Sequence, residues 1–310
     1  MRFLRTGPVG DERPAVTTAD GTFDLAPLLD ELGVPDIGPR FFEVGGILRT
    51  SDALSAGVLP AATIDGDRVG SPLARPGKIV CIGLNYRDHA AETHAEIPSE
   101  PIVFMKDPST VVGPNDDILI PPTSEKTDWE VELGVVIGER ARYLPDTASA
   151  GSVIAGYVLS HDVSEREYQL ERGGQWDKGK SCETFNPLGP EFVTADEIDP
   201  SNLRLTLSVN GVSRQNGTTR DLIFDVNHVV WYLSQFMVLE PGDVINTGTP
   251  AGVALGLPEH PYLRPGDVVE LSIEGLGRQR STLVRASTDP SAGPSTGPSA
   301  GASAGAEVAA

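Results

Sequence analysis

Acidic and apolar positions alternate over residues 128–133, at the start of a run over 128–138 that reads Asp-Trp-Glu-Val-Glu-Leu-Gly-Val-Val-Ile-Gly. The run is short, rich in valine and closed by glycine, and this pattern predicts a β-strand rather than a helix. Because side chains alternate along a strand, Glu130 and Glu132 share one face and the apolar residues share the other. Two carboxylates about 7 Å apart repel each other, and a cation between them would remove that cost. A solvated strand face would explain the same pair, so the pattern alone leaves both explanations open.

A second apolar strand is predicted over residues 153–161, and Asp162 follows it directly. Residues 164–170 are polar and favour a helix, which places Asp162 near a strand-to-helix turn. Three carboxylates without paired cysteine or histidine ligands describe an all-oxygen site that suits Mg²⁺, Mn²⁺ or Ca²⁺. With three protein ligands, positions remain for water and a chelating substrate. This favours metal-assisted catalysis over a structural role.

The same patterns predict the other elements of the chain. They indicate a strand over 1–6, helices over 25–32 and 51–56, a hairpin at Asn210-Gly211, and a long amphipathic helix over 224–240. We therefore expect a small N-terminal α/β unit (1–74) and a strand-rich catalytic domain (75–285). Residues 286–310 consist mainly of Ser, Ala, Gly and Pro, a composition that predicts a disordered tail.

Composition narrows the partners and the compartment. The formal charge of −20 argues against a nucleic acid or an anionic membrane as partner. The sequence shows neither an export leader nor an apolar run of about eighteen residues, so we expect a protein that is neither exported nor membrane-spanning. Two cysteines, Cys81 and Cys182, make a disulfide framework improbable and favour the cytoplasm.

Several separate motifs occur in one order along the chain. They are Asn85–Glu92, Pro101–Lys106, Trp129–Leu133, His161–Arg166, Gly179–Ser181 with Thr184-Phe185, and Asn246–Val253. Together they resemble the fumarylacetoacetate hydrolase family over roughly residues 76–285. One departure is Glu183, where relatives commonly carry aspartate, and this affects only the expected geometry of that loop.

The resemblance implies a β-rich α+β fold, a mixed β-roll of this family type preceded by the small N-terminal α/β unit, and assembly as a homodimer. It implies Mg²⁺ or Mn²⁺ bound by Glu130, Glu132 and Asp162. The chain looks closer to the bacterial sugar-acid and hydroxymuconate branch than to the tyrosine-degradation enzyme.

His89 and Glu92 are three residues apart in a segment that favours a short helix, so they lie on one side of it. A histidine in a polar segment is more often an ordinary surface residue, but the matching pair in the family belongs to a segment that closes over the substrate. Glu92 could orient His89, or act as a base through it, to activate water. Lys180 matches the family's active-site lysine, with Lys178 as its rival.

Three further positions match family residues that contact substrate. Arg166 and Gln169 are expected one and two helical turns after Asp162, on one face. Thr249, in a glycine turn, offers a hydroxyl and backbone amides for a substrate carboxylate, although an ordinary turn would look the same. Lys106 could pair with an acidic neighbour, and His161 could support Asp162.

The resemblance implies a metal-dependent hydrolase that cleaves a C–C bond of a 2,4-dioxo acid of the acylpyruvate type, through a metal-stabilised pyruvate enolate. Relatives also include isomerases of unsaturated 2-oxo dicarboxylic acids and decarboxylases of oxaloacetate. A family member that binds metal without turnover is the non-enzymatic alternative. Because every expected charged position is filled, an enzyme is favoured.

Overall fold

The computed structural model describes residues 1–64 and 66–289, so most of the predicted tail over 286–310 lies outside the described residues. Strands dominate the described part. They are numbered in chain order and are β1 Arg2–Thr6, β2 Arg13–Thr18, β3 Gly21–Asp24, β4 Ile79–Gly83, β5 Ile102–Lys106, β6 Val111–Val112, β7 Ile118–Ile120, β8 Thr127–Asp128, β9 Val131–Ile137, β10 Ile154–His161, β11 Ser164–Glu165, β12 Asn186–Thr194, β13 Arg204–Val209, β14 Val212–Thr218, β15 Val244–Asn246, β16 Val268–Ile273 and β17 Gly277–Arg285.

Helices are few and short. They are α1 Ala26–Leu32, α2 Pro39–Glu43, α3 Gly46–Ser55, α4 Arg87–Glu92, α5 Asp177–Lys180 and α6 Val226–Ser234, with a π-helical turn at Glu167–Glu171. Single 3₁₀ segments lie at Pro108–Thr110, Thr147–Val153, Ala195–Glu197, Pro200–Asn202, Thr219–Asp221 and Ala254–Gly256. No helix in the described part of the chain is long and apolar enough to cross a membrane.

One large mixed sheet has the strand order β3-β2-β1-β12-β10-β9-β15-β4-β5, and β6 also pairs with β12. Its pairs are antiparallel except β15–β4 and β12–β6, which are parallel. A second sheet has the order β14-β13-β16-β17-β7, and β8 pairs with β11 in a small ribbon. The predicted β-rich, family-type fold is confirmed.

The N-terminal unit is joined to the large sheet by backbone hydrogen bonds, since β1 pairs antiparallel with β12. Phe3 stacks on Phe192 at a centroid distance of 5.6 Å and also meets the ring of Phe41 from α2. The sheet is therefore continuous across the predicted boundary at residues 74 and 75, and the division there stays a prediction.

Strand β9 lies centrally in this sheet, between β10 and β15. Its apolar side chains at 131, 133, 135 and 137 enter one hydrophobic core, and Val136 enters the core on the other face. The predicted alternation is therefore confirmed. The solvated-face explanation is wrong, because Glu130 and Glu132 are only 5% and 2% exposed.

Two predicted helices differ from the structure. The helix expected over 224–240 spans Val226–Ser234. It ends early because the backbone of Leu239 forms an antiparallel bridge with Ala141 and cannot continue the helix. The helix expected from residue 164 is replaced at its start by β11, which pairs with β8, and only the π-helical turn follows. The 51–56 helix is confirmed but begins earlier, at Gly46.

The hairpin between β13 and β14 is confirmed. Asn210 and Gly211 both adopt positive φ, 52° and 76°, as a two-residue turn of this kind requires.

Candidate active site

Antiparallel pairing of β9 with β10 brings the three predicted metal ligands together. Glu132 pairs with Ser160 and Val131 with His161, and the Asp162 amide donates a 3.0 Å hydrogen bond to the Glu130 carbonyl. One carboxylate oxygen from each of Glu130, Glu132 and Asp162 then lies within 4.8 Å of the others. Residues about thirty positions apart in sequence therefore form one buried acidic cluster.

Cations compensate two of these carboxylates. Lys180 Nζ lies 2.7 Å from Glu130 Oε2 and 2.8 Å from Asp162 Oδ2. Arg166 Nη2 lies 2.6 Å from Glu130 Oε1, and Lys106 Nζ lies 2.6 Å from Asp162 Oδ1. Burial would raise the pKa of Glu130, but Lys180 and then Arg166 outweigh it and hold that pKa well below its ordinary value.

Glu132 is the exception. Its Oε2 accepts a 2.8 Å hydrogen bond from the Gly248 amide, and among the described residues no lysine, arginine or histidine forms an ion pair with it. Burial first, and then the charges of Asp162 and Glu130, raise the pKa of Glu132 well above its ordinary value. A buried carboxylate of this kind is costly unless a further cation is bound.

The acidic cluster and the groups joined to it by ion pairs comprise four buried carboxylates and three buried cations, namely Asp128, Glu130, Glu132, Asp162, Lys106, Arg166 and Lys180. Within this set of described residues, Glu132 is the carboxylate without an ion-pair partner. A donor set of converging carboxylate oxygens with this imbalance fits a hard divalent cation such as Mg²⁺, Mn²⁺ or Ca²⁺.

Asp128 fixes Arg166 and the backbone at residues 254 and 255, and it was not among the predicted site residues. Its Oδ2 accepts from Arg166 Nε at 2.8 Å and from the Leu255 amide at 3.0 Å. Its Oδ1 accepts from the Ala254 amide at 2.7 Å. Its position two residues before Glu130 was the available signal, because it begins the same acidic and apolar run.

Arg166 and Gln169 meet as predicted, but not as successive turns of one helix. Arg166 precedes the π-helical turn, and its Nη1 donates to Gln169 Oε1 at 3.0 Å. Burial opposes the charged form of Arg166, but Asp128 and then Glu130 outweigh it and raise its pKa further. Both side chains border the same cavity.

Lys180, rather than Lys178, reaches the carboxylates. The side chain of Lys178 is exposed and donates to the Arg172 carbonyl instead. Burial lowers the pKa of Lys180, but Asp162 and then Glu130 outweigh this effect and raise it, so the ammonium stays charged. Two of its three N–H groups bind the carboxylates, which leaves one for a ligand.

His89 and Glu92 face each other on α4, as the spacing predicted, with His89 Nδ1 3.3 Å from Glu92 Oε2. The Gly252 amide donates to Glu92 Oε1 at 2.9 Å. A side chain on Gly256 would collide with Glu92, since its Cβ would lie 2.4 Å from the carboxylate. The glycine loop over 248–256 thus holds Glu92 in place, and Glu92 in turn orients His89.

Thr249 borders the cavity, but its hydroxyl hydrogen is already engaged. The hydroxyl donates to the Val131 carbonyl at 2.9 Å and accepts from Gln215 Nε2 at 2.8 Å. Gln215, on β14, also accepts from the Val131 amide at 3.0 Å, and no sequence signal near the motifs marked it. Direct binding of substrate by Thr249 stays a prediction.

His161 directly precedes Asp162 and is fully buried, and neither of its ring nitrogens has a hydrogen-bond partner among the described residues. Burial, and then the charge of Lys106, lower the pKa of His161 to about 3. The ring is therefore neutral. The two cysteines are distinct: Cys81 is buried, and Cys182 is partly exposed.

A cavity of about 230 Å³ opens over this site. Its charged and polar lining consists of His89, Glu130, Glu132, Arg166, Gln169, Lys180, Thr93 and Thr249, and the rest of its lining is apolar apart from Gly83. Glu130 and Glu132 of the acidic cluster and His89 of α4 therefore face one cavity. A concave, mostly apolar cavity with a few converging polar groups is typical of small-molecule sites.

A family model described as the C-terminal domain of fumarylacetoacetate (FAA) hydrolase matches residues 78–284. The chain belongs to the fumarylacetoacetate hydrolase family. A protein of Burkholderia multivorans that carries a provisional hydrolase name is 50% identical over 283 residues, which cover 90% of this chain and 97% of that protein.

Two solved family structures are informative. The 5-carboxymethyl-2-hydroxymuconate delta-isomerase of Mycobacterium smegmatis is 30% identical, with a TM-score of 0.72 over 93% of this chain and 100% of its own. The maleylpyruvate hydrolase of Sphingobium sp. SYK-6, solved with manganese(II) and pyruvate, is 26% identical, with a TM-score of 0.73 over 93% and 100%. The family fold thus occurs in both isomerases and hydrolases.

Proposed function

We propose that this protein is a divalent-metal-dependent hydrolase that cleaves the C3–C4 bond of an acylpyruvate, a 2,4-dioxo acid. The products are pyruvate and a carboxylic acid. The observation behind the proposal is that the uncompensated, buried Glu132 and His89, which Glu92 holds from behind, border the same cavity. The related hydrolase that was solved with manganese(II) and pyruvate supports a metal and a 2-oxo acid at this place.

Glu130, Glu132 and Asp162 would hold Mg²⁺ or Mn²⁺. When bound, such a cation supplies Lewis-acid stabilisation of the negative charge that develops on a 2-oxo acid. Lys180 adds a fixed positive charge beside that position, with one N–H available to the pyruvate oxygens. Arg166, held by Asp128 and Glu130, and Gln169 limit how the acid can lie in the cavity.

His89 provides the base. With Nδ1–H donated to Glu92, Nε2 is unprotonated and can accept a proton from water. The water oxygen bonds to C4, the C3–C4 bond breaks, and its electron pair stays on the pyruvate fragment. The proton taken by His89 then returns to C3, so pyruvate and a carboxylic acid leave with all atoms balanced.

The structural similarity to an isomerase keeps a second function in view, isomerisation or decarboxylation of a 2-oxo dicarboxylic acid at the same site. Neither reaction needs an activated water. We therefore expect His89→Ala to reduce acylpyruvate hydrolysis far more than any oxaloacetate decarboxylation, whereas Lys180→Ala should damage both. Equal losses in both reactions for His89→Ala would remove His89 from the role of base.

The proposal is tested by following the loss of ultraviolet absorbance of acetylpyruvate, with coupled detection of pyruvate, in chelator-treated protein to which Mg²⁺ or Mn²⁺ is restored. We expect metal-dependent formation of one pyruvate per substrate consumed. Glu270→Gln, on an exposed position of β16, is a control that should retain activity. Turnover of oxaloacetate alone would favour the second function. Assembly as a homodimer stays a prediction, and light scattering at micromolar concentration would test it.

A further inference from the structure

Beyond the charged and polar groups, the cavity lining is apolar apart from Gly83. Ile102 and Phe104 come from β5, Leu170 from the π-helical turn, and Trp176 from the residue before α5. The rings of Phe104 and Trp176 pack with their centroids 5.4 Å apart. Lys180 Nζ lies 4.9 Å from the centre of the Phe104 ring, so this apolar wall begins beside the lysine.

The Trp176 ring can pack against the end of β4 because residue 83 is a glycine. A Cβ at Gly83 would lie 2.6 Å from the Trp176 ring. The indole therefore covers the end of β4 and contributes apolar surface to the cavity.

The cations among the described lining residues are held at the carboxylates of the site. Lys180 binds Glu130 and Asp162 and keeps one N–H, which the proposed function gives to the 2-oxo acid, and Arg166 binds Asp128 and Glu130. The third basic side chain, His89, faces Glu92. A substrate such as maleylpyruvate carries a second carboxylate, which would meet hydrocarbon here instead of a free cation. Burying an unpaired carboxylate against such a wall is strongly unfavourable.

We propose that the substrate is a monocarboxylate whose acyl arm is apolar, and that the wall formed by Ile102, Phe104, Leu170 and Trp176 selects against a carboxylate at the distal end. This inference rests on the proposed function, because the orientation of the arm follows from placing the 2-oxo acid at the carboxylate cluster.

A matched pair of ligands tests whether the apolar wall selects against a distal carboxylate. 7-Methyl-2-oxooctanoate and 2-oxopimelate have the same chain, with an isopropyl group in one where the other has a carboxylate. Calorimetric titration of the Mg²⁺-loaded protein should show the isopropyl ligand binding at least about tenfold more tightly, since groups in apolar pockets discriminate by roughly this factor or more. Equal or tighter binding of 2-oxopimelate, or binding of neither ligand, would overturn the inference.

Turnover of the corresponding 2,4-dioxo acids, 7-methyl-2,4-dioxooctanoate and 2,4-dioxopimelate, separates this inference from the proposed function. Selective binding with no cleavage of either acid would defeat the hydrolase proposal and leave the selectivity in place. Cleavage that favours 2,4-dioxopimelate would defeat the selectivity alone.

Leu170→Arg supplies the missing cation at a side chain that is 44% exposed, where a charge can be tolerated. We expect it to shift the ratio of the two kcat/KM values at least about tenfold toward 2,4-dioxopimelate. Leu48→Arg, on exposed α3 and outside the cavity lining, adds the same charge and should leave the ratio unchanged. An unchanged ratio in Leu170→Arg would contradict the placement of the arm.

Discussion

Replacing Glu132 with glutamine should stabilise the metal-free protein. The carboxylate is 2% exposed and lies beside Glu130 and Asp162, with no ion-pair partner among the described residues. Glutamine has nearly the same shape and keeps an oxygen to accept the Gly248 amide, so the charge is the main loss. The same change removes a metal ligand and should abolish stabilisation by Mn²⁺.

The direction in which the stability of the metal-free protein changes with pH follows from the pKa of Glu132, which is raised in the folded state. Between its ordinary and its raised pKa the folded protein binds more protons than the unfolded chain. The stability of the metal-free wild type therefore falls by up to about 1.4 kcal/mol per pH unit across this window, and this loss is absent below the ordinary pKa. The advantage of Glu132→Gln should grow across the window and stay constant above it.

The gain in stability from bound Mn²⁺ follows from mass action. At a free Mn²⁺ concentration 100 times Kd, the wild type should gain about 2.7 kcal/mol, and the variant should gain little. For a chain of this size this corresponds to a rise in Tm of about 5 °C. Thermal unfolding followed by circular dichroism, with chelator and with Mn²⁺, measures both effects.

Glu130→Gln is the matched control, because it removes a compensated charge. It leaves Lys180 and Arg166 with one carboxylate partner fewer, and should destabilise the metal-free protein. The same change from glutamate to glutamine should therefore stabilise the metal-free protein at residue 132 and destabilise it at residue 130. A destabilised Glu132→Gln protein that keeps the full Mn²⁺ shift would refute the assignment of Glu132 as the uncompensated ligand.

Three further predictions concern the chemistry. His89→Ala should lower kcat for acylpyruvate hydrolysis by roughly 10² to 10⁴-fold, measured by pyruvate release, yet keep the Mn²⁺-dependent rise in Tm; loss of that rise would contradict a role in water activation. Asp128→Asn should raise KM at least about tenfold, because Arg166 loses one of its two charged partners, and an unchanged KM would count against that role. The affinity for Mn²⁺ should weaken as pH falls below the raised pKa of Glu132, with Kd rising by up to about tenfold per pH unit. Calorimetry in buffers of different ionisation enthalpy should show that metal binding releases a proton. A pH-independent Kd would contradict the assignment of Glu132 as a ligand.

Local patterns predicted the features that depend on local sequence. The alternation along β9, the left-handed turn at Asn210-Gly211 and the facing of His89 and Glu92 follow from neighbours within a few positions. The family motifs predicted which distant residues meet. Antiparallel pairing of β9 with β10 is the physical reason that Asp162 joins the glutamates.

Features set by tertiary contacts were not predictable in this way. The helix over 224–240 ended early because Leu239 pairs with Ala141, and β11 formed because β8 lies alongside it. Gln215 reaches the site from a remote hairpin, with no local pattern to mark it. The lack of a cation at Glu132 likewise depends on tertiary contacts, because Lys106, Arg166 and Lys180 come from separate segments and bind other carboxylates.

Oxygen-18 labelling distinguishes hydrolytic cleavage of the carbon–carbon bond from the other reactions. The Mg²⁺-loaded protein is incubated with acetylpyruvate in H₂¹⁸O, and the acids released are examined by mass spectrometry. We expect one ¹⁸O from water in each acetate, with one pyruvate formed per acetate. Consumption of acetylpyruvate without labelled acetate, whether as an isomer of unchanged mass or with loss of CO₂, would contradict hydrolytic cleavage.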